Sequence, residues 1–255
     1  MKASTAFKIL LWIVVGIGVF ALGLMLTGDR EAAEMLRISL ALALTFGGLW
    51  WLGYHYRVLP RRASFEGQAR ELGLRAERGD PLGLLGSGFA LFSRSASARE
   101  IENTARGRRG GLEVAVVDYW FAPTSDLQRD DYERYTCVIA PVPSGWPYLS
   151  VVPERTASRL RSTFALPDIE TESEEFNRRF EVRSTDRRFA LALLDPRMMR
   201  WLLEQVVDVG FEVLGGRQML FRPRVTTSLD DLARAVELYD RLLEQIPRVV
   251  RDQQL

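Results

Sequence analysis

Histidine and cysteine are almost missing from this chain of 255 residues, which holds one of each, His55 and Cys137. A single cysteine excludes an intramolecular disulfide. With one cysteine and one histidine, the usual zinc sites are excluded as well, because they draw several such ligands. A Ser-His-Asp triad needs an imidazole beside its nucleophile, and His55 falls inside an apolar run far from any later motif. Lysine stops at Lys8, and every later base is arginine. That absence removes the Gly-Lys-Ser/Thr phosphate loop and Schiff-base chemistry from nearly the whole chain. Gly83, Gly86 and Gly88 do not have the spacing of a dinucleotide loop. Excess charge of one sign is lacking too: 34 bases meet 33 acids, for a net charge of +1. A nucleic-acid partner calls for a basic excess on one face, so none is expected. No cofactor is expected either.

What the sequence does contain begins with two uncharged apolar runs, Ile9–Leu26 and Ile38–Tyr56. At 1.5 Å per residue each would reach about 27 Å or more, close to the roughly 30 Å hydrocarbon thickness of a bilayer. They predict an amino-terminal transmembrane helical hairpin over 1–56 and one further domain over 57–255. Lys2 and Lys8 before the first run, and Arg57, Arg61 and Arg62 after the second, outweigh Arg30 and Arg37 between them. The positive-inside rule then predicts a multi-pass inner-membrane protein with both termini cytoplasmic. Trp50, Trp51, Tyr54 and Tyr56, with Arg57, Arg61 and Arg62, form the expected lipid interface. Gly16 and Gly23 on one helix, and Ser39, Ala43 and Gly47 on the other, are the expected small-residue packing stripes. The expected partners are the lipid bilayer and other membrane or cytoplasmic proteins.

From Arg57 onward the pattern is that of an α+β domain, a mainly antiparallel sheet with packed helices. Phe65, Ala69 and Leu72 give a helix from about Arg61 that Gly73 ends. Phe89–Phe92 is a short candidate strand. Glu100–Ala105 and Leu112–Phe121 flank a glycine- and charge-rich tip over 106–111, a hairpin signature. Both faces of Leu112–Phe121 are apolar, as in a central strand. Further strands are expected at Tyr132–Ala140, Tyr148–Val152 and Arg179–Arg183. Pro153 opens a short helix, Asp186 caps a helix to Leu194, and Asp195 with Pro196 starts another to Val209. Phe211–Leu214 and Gln218–Arg222 face each other across Gly215 and Gly216. Ser228 caps a last helix whose buried side is Leu232, Val236, Tyr239, Leu243 and Ile246.

The stretch Glu174–Val182, then Ser184, Thr185 and Asp186, then Leu194–Met199 and Leu202, resembles the signature region of an uncharacterised bacterial family. That family is known only as domain of unknown function thirty-one thirty-seven. The resemblance runs from about Arg61 to Ile246 and is strongest over Glu172–Leu203. It implies two amino-terminal spanning helices, a Gly-Gly hairpin and a long last helix, and it brings no activity. Read physically, the motif is packing: Phe176 and Phe180 at i, i+4, Asp186 as a cap, Met198 and Met199 as adaptable core.

Carboxylates are the chemistry that remains. Asp168, Glu170, Glu172, Glu174 and Glu175 form an acidic stretch. No metal is expected, but Glu170, Glu172 and Glu174 are the oxygens that would hold a divalent ion. Asp118, within an apolar strand, is read as an arginine-paired structural carboxylate and Cys137 as a small core residue. Arg106, Arg108 and Arg109 at the hairpin tip, with Arg57, Arg61 and Arg62, would touch anionic headgroups. The function expected from this inventory is non-catalytic: a membrane-tethered interaction or assembly module. The alternatives are a carboxylate- and metal-dependent hydrolase and an anionic-lipid-sensing domain.

Overall fold

The computed structural model describes residues 34, 38, 39, 41–43, 45–49, 59–94, 96–123, 133–154, 156, 166–205, 208–223 and 231–251. The chain divides into two units, Met1–Arg61 and Arg62–Leu255. In the first unit the described residues are helical. Ile38, Leu42, Phe46 and Leu49 there stand between 53 and 65% exposed.

Among the described residues no helix is long and apolar enough to cross a membrane. This overturns the expected fold class built on a transmembrane hairpin, and with it the two-pass inner-membrane placement with cytoplasmic termini. The expected span 9–26 lies outside the described residues, and the span 38–56 is described only in part. The two longest helices beyond it are α1 (Leu59–Glu71) and α5 (Asp231–Gln245), of 13 and 15 residues. At 1.5 Å per residue they reach about 20 and 23 Å, short of a bilayer core, and both carry charged residues. What stands instead is a mostly antiparallel eight-stranded sheet with helices.

The strands are β1 (Arg75–Arg78), β2 (Ala96–Arg109), β3 (Leu112–Pro123), β4 (Glu133–Pro141), β5 (Leu149–Pro153), β6 (Phe180–Ser184), β7 (Gly210–Leu214) and β8 (Arg217–Pro223). They lie side by side as β1-β2-β3-β4-β8-β7-β5-β6. Two tight turns set the register. Gly110 and Gly111 between β2 and β3, and Gly215 and Gly216 between β7 and β8, all have positive φ. That backbone matches the twist of a two-residue hairpin and is cheap only for glycine.

One face of the sheet carries Val116, Val138, Leu220, Phe211, Val151 and Val182. It packs against α1, α5 and the short helices α2 (Glu174–Arg179), α3 (Arg187–Leu193) and α4 (Pro196–Leu203), through Phe65, Phe176, Phe189, Met198, Leu202 and Tyr239. A last turn, α6 (Arg248–Arg251), adds Val250. The caps are those the sequence calls for. Asp186 accepts from the amides of Arg188 and Phe189, and Asp195 accepts from Met198. Phe176 and Phe180 stack with ring centroids 4.8 Å apart.

The opposite face carries Val117, Tyr119, Phe121, Tyr135, Cys137, Met219 and Phe221. Residues 79–94 lie over it as a strap that includes one 3-10 turn, Leu84–Gly86. Phe89–Phe92, expected as a strand, is a turn within this strap. Coverage on both sides is why β3 and β4 read as apolar on both faces. Other bounds differ from expectation as well. Helix α4 ends at Leu203, not Val209, and the acidic stretch contains α2, capped by Ser173. After Pro153 only Glu154 and Thr156 are described, both helical, and Ser228 lies outside the described residues.

Candidate anion-binding pocket

The strap leaves part of its sheet face uncovered. Three polar contacts hold it to the sheet elsewhere, and a fourth braces the strap internally. The Glu212 carboxylate accepts from the amides of Ala90 and Leu91 at 2.9 and 3.4 Å. The Tyr119 hydroxyl donates to the Leu91 carbonyl at 3.2 Å. The Arg94 guanidinium sits 4.1 Å from the centroid of the Phe121 ring. At the near end, Asp80 accepts from the amides of Leu84 and Leu85 at 2.8 and 2.9 Å. Beyond Leu84 the face opens into a cavity of about 640 Å³.

Register explains what lines it. In an antiparallel pair, residues directly opposite each other project to the same face. Arg75 stands opposite Arg106, Arg106 opposite Ala115, and Ala115 opposite Ile139. Toward the turns, Arg108 stands opposite Glu113, and Pro141 opposite Arg217. Ala115 and Ile139 are buried and form an apolar floor with Leu84, while Leu82 is 37% exposed at the wall. Arg75, Arg106, Arg108 and Arg217, with the carboxylate Glu113, make the rim.

The rim cations are unequally compensated. Glu77 accepts from Arg106 at 2.8 Å and lies 3.6 Å from Arg75. Among the described residues no carboxylate lies within ion-pair distance of Arg108 or Arg217. Arg109, by contrast, reaches away to Asp240 at 2.8 Å. Arginine carries five N–H donors and no acceptor. Its planar fork suits carboxylate and phosphate oxygens. Among the described residues the lining holds one carboxylate, Glu113, and no Ser, Cys, His or Lys.

The pocket was hidden in the sequence by one misplaced boundary. Residues 106–111 read as a loose tip, yet β2 continues to Arg109 and only Gly110 and Gly111 turn. Arg106 and Arg108 are therefore strand residues at alternate positions, which fixes them on one face. Arg217 gave no signal, because its neighbourhood depends on β8 lying beside β4.

Glu212 was also missed. It is fully buried, and burial pushes its carboxyl up to about 7, against two backbone amides and the Tyr148 hydroxyl, all of which favour the charged form. Its signal was an acid between Phe211 and Val213 in a strand whose other face is core.

The residues singled out from the sequence fall as follows. Gly16, Gly23, Trp50, Trp51, Tyr54, His55, Tyr56 and Arg57 lie outside the described residues. Arg61 is in α1, and Arg62 there pairs with Glu66 at 2.7 Å. Ser39, Ala43 and Gly47 are half-buried, and no described atom lies within 4 Å of a Cβ built on Gly47. Glu170, Glu172 and Glu174 are exposed, and Asp168 accepts from the Val182 amide at 2.9 Å. Among the described residues no group of three or more His, Cys, Asp or Glu could hold a metal ion. Asp118 is buried and accepts from Asn103 at 3.3 Å. Cys137 is fully buried in the strap-side core, and burial pushes its thiol well up.

No family model and no curated protein matches the chain. The resemblance over Glu172–Leu203 therefore rests on its motif alone. A solved structure, that of the mycobacterial trehalose monomycolate transport factor A, TtfA, is similar over 73% of this chain and 96% of that one, with 15% identity and a TM-score of 0.45. Nothing about ligand or partner passes to this chain on a likeness of that size.

Proposed function

We propose that this chain is a non-catalytic binding module and that the arginine-rimmed pocket is where it receives an anionic group. The observation that carries this reading is the excess of cations on one strand-built face, where Arg75, Arg106, Arg108 and Arg217 line the pocket with a single carboxylate, Glu113. Arg75 and Arg106 stand directly opposite, and Arg108 and Arg217 stand without a carboxylate partner among the described residues. Like charges placed directly opposite cost stability. A fold that keeps such a cost at the mouth of a cavity is keeping it for something that binds there. Among the described residues the lining holds no Ser, Cys, His or Lys, which favours binding over turnover.

Butyl phosphate titrated into the full-length protein tests this, with butanol as the neutral control. The phosphate ester is expected to bind, to weaken as salt screens the rim, and to lose at least tenfold in affinity in Arg108→Ala with Arg217→Ala. Equal binding of butanol, or no loss in that double variant, would overturn the proposal.

A further inference from the structure

We infer that the occupant of this pocket is a single anionic amphiphile, its charged head held by the arginines and its apolar body laid on Leu84, Ala115 and Ile139. This rests on the anion-binding reading above and adds the chemistry of the rest of the ligand. The size of the cavity carries the step. A water molecule takes roughly 30 Å³ of liquid, so a phosphate-sized ion fills the room of about two or three waters. Such an ion would leave most of a cavity of about 640 Å³ filled with water against apolar side chains. That volume lies in the roughly 300–1,000 Å³ range of sites that enclose a small organic molecule.

The arrangement has a direction. The apolar residues sit where the strap meets the sheet: Leu84 is 1% exposed, Ile139 4% and Ala115 8%. The charges ring the outside: Arg106 keeps 46% of its side chain exposed and Arg75 82%. A ligand matched to this site is charged at one end and apolar at the other. Leu82, partly exposed on the wall, is placed to cover the chain beyond the floor. Arg106, Arg108, Ala115, Ile139 and Arg217 are strand residues, so their places in the pocket are fixed by the register of β2, β3, β4 and β8.

The experiment is a chain-length series of butyl, hexyl and octyl phosphate, measured by calorimetric titration into the full-length protein. Each buried methylene adds about fourfold in affinity, so each step of two methylenes is expected to tighten binding about tenfold or more. Leu82→Ser is expected to flatten the last step of the series. If butyl, hexyl and octyl phosphate bind equally, the apolar half of the inference is overturned and the anion site stands. If octanol binds as tightly as octyl phosphate, or no member binds, the anion site falls and this inference falls with it.

Discussion

Arg75 and Arg106 face each other across β1 and β2, and the Glu77 carboxylate reaches both guanidiniums, at 3.6 and 2.8 Å. One carboxylate thus serves two cations at the edge of a pocket that holds two more. Glu77 is the counterweight that lets this strand pair form without an occupant.

Removing that counterweight has a signed consequence. Glu77→Gln is expected to cost less than about 1 kcal/mol of stability, because the pair is partly solvated. It is also expected to tighten alkyl phosphate binding about two- to fivefold at low salt, since the carboxylate that engages Arg75 and Arg106 is then gone. Calorimetric titration of hexyl phosphate into the variant checks this. Unchanged or weaker affinity would count against the compensating role of Glu77.

The strap gives a pH signature. Glu212 titrates near 7 in the fold and near 4.5 as a free side chain, so the native state holds its proton more tightly than the unfolded state does. Stability from this group is fully present below about pH 4.5, falls as pH rises, and levels off above about pH 7. A shift of this size corresponds to about 3 kcal/mol across that window. Urea unfolding between pH 5 and 8 should show the decline in the wild type and a flatter profile in Glu212→Gln. Equal slopes would remove Glu212 as the cause.

Two glycines separate close packing from backbone freedom. A Cβ on Gly210 would lie 2.5 and 2.8 Å from the Phe221 ring and 3.0 Å from the Val151 carbonyl oxygen. Gly210→Ala should therefore destabilise by about 1–3 kcal/mol. A Cβ on Gly67, within α1, meets nothing within 4 Å. There the helical preference of alanine is expected to add about 0.5–1 kcal/mol. Denaturant midpoints of the two variants should move in opposite directions, and a shared direction would contradict the packing described.

Much of the sheet was legible because its signals are local. Gly215 and Gly216 between two apolar runs specify a hairpin, and Asp186 and Asp195 specify the starts of α3 and α4. Helix α2 was not legible, because its acids read only as part of an acidic stretch. In fact Glu174 and Glu175 occupy its first turn, where the helix dipole favours negative charge. The two apolar runs pointed to a bilayer through length and hydropathy alone, an inference that the described helices do not support. The pocket was the least legible feature. Arg106 and Arg217 are far apart in sequence and come together only through the order β2-β3-β4-β8. Glu212 likewise clamps a strap that is 122 positions away.

Hydrogen–deuterium exchange of the full-length protein with and without octyl phosphate tests the central claim most directly. The account predicts slowed exchange at 82–86, 106–115, 139–141 and 215–217, and no such change with octanol. Protection confined to other parts of the chain, or no protection at these residues under saturating ligand, would contradict it.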